Sequence, residues 1–215
     1  MTSGRPPSLL QIELLSDATF SRGEGTAGVV DTEVERDKFG MPFIGGKTVR
    51  GLLRDSWLSM SRHFPSLEQA AERVLGRSQA LDESCRLRIS DAVLPAAIRA
   101  TVRGAAERGE HKLLPGIILD GFTSIRYQTA EDRETGAPGV TTLRSSRVVL
   151  RGFVFEASLS WLDGYRPTAA DARLLALCAL ATRHGGLFRN RGRGHIRMTL
   201  DGDIEATRKY GEATA

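Results

Sequence analysis

Two stretches of this chain of 215 residues repeat one order of hydrophobic periods: alternation with period two, then a helical stripe, then alternation again. That order limits the fold more than any other feature, because a two-residue period with one apolar face makes a strand and a 3.6-residue period makes a helix. In the first stretch Leu10, Ile12 and Leu14 alternate with Gln11 and Glu13 over residues 8–15. After the glycine-rich SRGEGTAG of residues 21–28, Val29 to Asp37 alternates again, and Phe39-Gly40 offers a turn into Met41 to Ile44, which predicts a hairpin. Gly45-Gly46 opens a helix with Val49, Leu52, Leu53, Trp57 and Met60 on one face. Ser66 to Gln69 reads as a capping box for a second helix that stops at Gly76, and residues 86–94 read as a strand. In the second stretch a strand from Phe153 to Trp161 leads to a helix capped by Thr168 and Asp171, with a closing strand from His195 to Leu200. The fold class predicted is α+β, a ferredoxin-like antiparallel sheet with helices on one face. RNA-recognition domains use the same scaffold, but fold alone does not assign function.

Two segments interrupt this arithmetic. Residues 95–115 are weakly helical and mixed in charge, as an insertion would be. Residues 121–151 hold few large apolar side chains, with acidic Glu131, Asp132 and Glu134 followed by Arg144, Arg147 and Arg151. Some thirty residues with so little to bury predict a segment that projects from the domain. The hydrophobic share of 40% suits one packed domain over residues 1–215. No apolar run approaches the roughly 20 residues that span a bilayer, and no apolar leader segment stands near Met1, so a cytoplasmic protein without a membrane partner is expected. Cys85 and Cys178 lie far apart in apolar surroundings, which excludes a disulfide scaffold or a zinc finger.

Charge is concentrated rather than spread. Lys plus Arg is 30 against 26 for Asp plus Glu, a net charge of +4. The segment Gly185 to Arg197, GGLFRNRGRGHIR, carries four arginines and no acid, so the remainder of the chain balances. Of the basic residues 26 are arginine and 4 are lysine, a bias that suits planar, bidentate phosphate contacts or reflects codon usage alone. Glycines let this backbone approach a phosphate chain, while Arg189, Arg191, Arg193 and Arg197 supply charge; a solvated basic turn is the plainer alternative. It is neither a Walker loop nor a dinucleotide fingerprint, since it follows a helix and leads into a strand. Asp31, just after the first glycine-rich stretch and near Glu33, Glu35 and Asp37, could present a carboxylate to a phosphate with or without a divalent ion. An aspartate at a strand edge is ordinarily structural, so its residue type does not make it catalytic. His63, His111, His184 and His195 are scattered and define no nucleophile–base set.

The run from Gly28 to Arg54, GVVDTEVERDKFGMPFIGGKTVRGLLR, resembles the amino-terminal motif of the RAMP proteins of CRISPR systems. Gly185 to Gly194 looks like the RAMP glycine-rich loop, and Arg147 to Phe155, RVVLRGFVF, resembles the strand entry after the thumb. The three matches come in order and span nearly the whole chain. Gly45 stands where the family usually has proline, and Lys47 replaces the first serine of the motif. Length and build look most like the backbone subunit of type III effector complexes. The resemblance implies a single RAMP domain, insertions near residues 95–115, a β-hairpin thumb near 121–150, and several copies lined up on a guide CRISPR RNA with other effector subunits. It implies cleavage of a complementary target RNA by attack of a 2′-hydroxyl, with Asp31 as the catalytic residue and ligand of Mg²⁺ or another divalent cation. Lys47, Arg50, Arg54, Arg126, Arg144, Arg147, Arg189, Arg191 and Arg193, with Gly192 and Gly194, are the RNA-binding residues it suggests. The alternative is a non-catalytic scaffold that binds guide RNA and assembles the complex.

Overall fold

The computed structural model describes residues 6–21, 23, 25, 30–77, 85–107, 113–129, 143–162 and 164–212. Its elements are β1 (Leu9–Leu14), α1 (Gly46–Met60), α2 (Glu68–Leu75), β2 (Leu87–Ile89), α3 (Ala96–Glu107), α4 (Pro115–Phe122), β3 (Thr123–Gln128), β4 (Arg144–Val149), β5 (Val154–Trp161), α5 (Ala169–Ala181), β6 (Ile196–Leu200) and α6 (Ile204–Glu212).

Strand β1 is central. Its apolar positions meet β5 as Leu10↔Ala157 and Ile12↔Phe155, and meet β6 as Leu10↔Leu200, Ile12↔Met198 and Leu14↔Ile196, so each strand turns the same parity inward. β2 adds to the far side of β5 through Leu87↔Trp161. The order β2-β5-β1-β6, antiparallel throughout, is the ferredoxin-like sheet expected from the doubled strand–helix–strand pattern. Helices α1, α2 and α5 cover one face, where Leu10, Ile12, Leu53, Phe155, Leu174 and Leu175 are fully buried.

The capping box predicted at Thr168 and Asp171 forms, with each side chain accepting from the other's backbone amide. Asp171, completely buried, also accepts from Arg73 on α2 at 2.9 Å and from Tyr165, so one carboxylate joins two helices and a loop. The cap predicted at Ser66 does not form: Pro65–Leu67 is a 3-10 turn, and α2 starts at Glu68 without a side-chain cap, ending at Gly76 as expected. The predicted hairpin of residues 29–44 reduces to a turn with one bridge, Arg36↔Pro42. Asp37 explains it: its Oδ1 accepts from the amides of Phe39 and Met41, which folds the chain locally, while Thr32 bridges to Ser146 on β4 instead.

The interruptions carry more structure than their composition suggested. Residues 95–115 hold α3 and the start of α4, and β3 and β4 form an antiparallel ladder from Thr123↔Val149 to Gln128↔Arg144. This strand pair lies within the segment expected to form the thumb; the acidic positions 131, 132 and 134 lie outside the described residues. The closing helix α6 was not anticipated. Asp203 caps it by accepting from the amides of Glu205 and Ala206 at 2.8 and 3.0 Å. Asp203→Ala is expected to cost about 1 kcal/mol, read as a lower urea midpoint and faster amide exchange over residues 204–212.

Candidate nucleic-acid interface

The face of the sheet turned away from the helices presents Gln11, Glu13, Arg88, Glu156, Ser158 and Ser160. RNA-recognition sheets stack bases on aromatic side chains on that face. Among the described residues of this face none is aromatic, so a binding surface has to be sought at the end of the sheet, where the glycine-arginine loop lies.

That loop closes on an antiparallel bridge between His184 and His195, with Gly185 N donating to Gly194 O at 2.8 Å and Ile196 N to Arg183 O at 2.9 Å. This is the non-hydrogen-bonded kind of pair, in which side chains come closest. The two imidazoles stack with centroids 5.3 Å apart. The loop lies along the chain after β1: Leu187 N donates to Thr19 O and Gly194 N to Asp17 O, each at 2.8 Å. Two glycines are required there. At φ 83° a Cβ on Gly186 would stand 2.5 Å from Thr19 O, and at φ 71° one on Gly194 would overlap Gly185 O. Gly192 sits in the exposed turn with open space around it.

Arg193 turns back from this loop. Its guanidinium stands over the Phe188 ring and donates to Ser146 Oγ on β4 at 2.8 Å; burial, then the nearby Arg126, lowers its pKa from the usual arginine value. Arg189 and Arg191 are exposed and, with Arg144 of β4, line a cleft of about 930 Å³. Thr48 and Leu52 of α1 and Gln128 and Thr129 of the hairpin form its other walls, and among the described residues none that lines it is acidic. Lys47 stands exposed on the first turn of α1, next to Thr48. Arg126 is exposed on β3 but pairs with Asp17 at 2.8 Å, whose other oxygen accepts from Arg151 N. Asp17, which the sequence did not mark, thus joins the loop, the hairpin and the turn before β5.

Asp31 meets the same hairpin. Its Oδ2 accepts from Ser145 N at 2.6 Å and Ser145 Oγ at 3.0 Å, and its own amide donates to Ser145 Oγ. Those bonds, then the charge of Arg144, lower the carboxyl pKa from the ordinary aspartate value, so this exposed group is ionised at neutral pH. Arg193 and Asp31 therefore engage adjacent serines, Ser146 and Ser145, whose side chains leave the strand toward opposite faces. As for a divalent ion, no group of three or more His, Cys, Asp or Glu able to hold one exists among the described residues. An ionised carboxylate with one oxygen outside the Ser145 bonds fits Mg²⁺ all the same, because that ion completes its shell with water and phosphate oxygens.

Three predicted RNA contacts are placed elsewhere. Arg50 donates to Leu87 O at 2.7 Å and to Val74 O, and Arg54 donates to Gly76 O at 2.6 Å, so both tie α1 to the end of α2 and Arg50 ties it to β2 as well. Arg147 is 7% exposed and bonds Glu33 at 2.9 Å and Asp120 at 2.7 Å. None of these three lines the cleft.

The described residues thus form a ferredoxin-like domain with a hairpin inserted before its third sheet strand and a glycine-arginine loop before its last. The chain belongs to the RAMP superfamily, whose model matches residues 11–197. Among curated proteins none matches it. Of solved structures, a chain of the type III-B Cmr-β complex in its apo state, determined by cryo-EM, superposes with a TM-score of 0.65 at 13% identity, over 92% of this chain and 98% of that one. A chain of type III-B Cmr-β bound to cognate target RNA gives 0.65 at 12% identity, over 93% and 98%. Both are likenesses of fold. No described helix is long and apolar enough to cross a membrane.

Proposed function

We propose that this protein is a guide-RNA-binding backbone subunit of a type III CRISPR effector complex that cleaves complementary target RNA, with Asp31 at the reacting centre. It works in the cytoplasm, beside further copies of itself and other effector subunits, with Mg²⁺ or another divalent cation as cofactor. The observation that carries this reading is that an ionised, exposed carboxylate and a glycine-arginine loop dock on adjacent residues of one inserted hairpin. Membership of the RAMP superfamily and the likeness in fold to Cmr-β bound to cognate target RNA support it.

Arg144, Arg189 and Arg191 take phosphate oxygens in the cleft they line, and pairing with the guide selects the target, which leaves the protein to hold backbone and shape. The hairpin orients one nucleotide so that its 2′-oxygen stands in line with the adjacent phosphorus. A new 2′-O–P bond forms as the 5′-O–P bond breaks, the hydroxyl proton is lost and the leaving 5′-oxygen gains one, giving a cyclic phosphate and a 5′-hydroxyl. Asp31, held rigid by three bonds to Ser145, would anchor a divalent ion, which when bound supplies positive charge at the phosphoryl oxygens.

A non-catalytic scaffold is the second reading, favoured by the commitment of Asp31 Oδ2 to Ser145. Incubating the assembled complex with matching labelled RNA separates the two. Cuts in Mg²⁺ that vanish with a chelator and return on adding the metal are expected; an intact target throughout would leave the scaffold.

A further inference from the structure

The cleft beside the glycine-arginine loop does not end at the loop. It shares Leu52 and Arg189 with a second groove between the ends of α1 and α5. That groove shares Thr182 and Arg183 with a third, between α5, β6 and α6. The stacked imidazoles stand at the second junction, His184 lining one groove and His195 the next. Among the described residues that line the three stand six arginines against two carboxylates, Asp55 and Glu205.

Two arginines of the third groove are available. The Arg183 side chain has no partner among the described residues. Arg197 pairs with Glu13 at 3.3 Å on the sheet face turned away from the helices, whereas Arg208 pairs with Glu205 at 2.7 Å, both side chains of that second pair being well exposed. Exposed ion pairs are worth little, so Arg208 can exchange its carboxylate for a phosphate. Leu15 and Leu180, each partly exposed, line the same groove and offer apolar surface to a base or ribose.

Building on the function proposed above, we infer that the RNA track continues from the loop past the His184–His195 stack into the groove of α5, β6 and α6, where Arg183 and Arg208 hold the backbone of the same single strand. The imidazoles offer the bend a stacking surface, as aromatic side chains do in other single-strand grooves. The site is an extension of the protein's footprint beyond the hairpin, carried by a helix outside the two strand–helix–strand halves.

The test is fluorescence anisotropy of the full chain with a labelled, unstructured single-stranded RNA, read across salt concentrations. Arg183→Ala/Arg208→Ala is expected to weaken binding roughly tenfold and to flatten the slope of log affinity against log salt by about one. Arg189→Ala/Arg191→Ala should weaken it as well. Arg62→Ala/Arg166→Ala removes the same charge from exposed positions outside the grooves and should leave the slope unchanged. Loss with the loop pair but not with Arg183/Arg208, or equal loss with the Arg62/Arg166 control, overturns the extended track and leaves the proposed function standing. No loss with the loop pair overturns the function proposed above. Circular dichroism of each variant checks that the fold is retained.

Discussion

Replacing Asp31 by alanine is expected to lower target cleavage by about a thousandfold while guide binding and assembly persist. The carboxylate is exposed and its bonds all run to Ser145, so truncating it opens no cavity and strands no buried charge. Asp31→Asn is the sharper variant. It keeps an oxygen that can accept from Ser145 but removes the charge, so a reaction that needs a negative ligand fails in both variants, whereas one that needs only the loop's position survives in the amide. The pH dependence has a definite sign. Because Ser145 and then Arg144 lower this pKa, a loss of rate carried by Asp31 is expected at lower pH than an ordinary aspartate would give. Single-turnover cleavage of labelled target measures the rate, and anisotropy with guide RNA measures what is retained. Undiminished cutting by both variants would sink the assignment of Asp31.

Much of the framework was legible because its residues answer to one neighbour each. β1, β5 and β6 alternate since one face of each is buried, and the Thr168–Asp171 cap is local, so both can be read from a short window. The alternation of residues 29–37 misled for the opposite reason. Val30 and Val34 are buried, but the backbone between them bonds β4, more than a hundred residues on, and periodicity records burial without naming the partner. The strand β4 shows the same limit. Ser146 to Val149 are all buried, so no alternation betrays which way Arg147 points, and its charge suggested a surface role. Asp31 is expected from a motif resemblance alone. Ser145, Ser146 and Asp17, which hold these segments together, have no signature at all; their roles come from bonds across 47 to 134 positions of chain or from a docked loop. The helix α6 did carry a signal, an aspartate two residues ahead of Glu205, in a stretch too polar to attract notice beside the strands.

Arg147 offers the clearest separation between a residue that touches RNA and one that builds the place where RNA is touched. Its guanidinium bonds Glu33 on the segment that carries Asp31, Asp120 at the end of α4 and Thr123 Oγ1 at the start of β3, while its amide donates to Thr32 O. Removing one member of a buried ionic group leaves the others desolvated without a partner, which typically costs more than the intact group contributes. With Asp120 largely exposed but Glu33 at 12%, Arg147→Met is expected to cost about 3 kcal/mol. Methionine retains most of the buried aliphatic volume, so the loss reports the charge rather than a cavity. In urea the midpoint should fall with the slope unchanged, and RNA affinity below the transition should stay within about twofold of wild type. A residue gripping phosphate would behave in the reverse way, with affinity and salt slope reduced and the midpoint unmoved. Because Glu33 lies two positions from Asp31, the same variant should also slow cleavage under conditions where it remains folded. A double substitution of Arg147 and Glu33 to apolar residues that recovers the midpoint would trace that effect to the position of the Asp31 segment rather than to a lost contact with the strand.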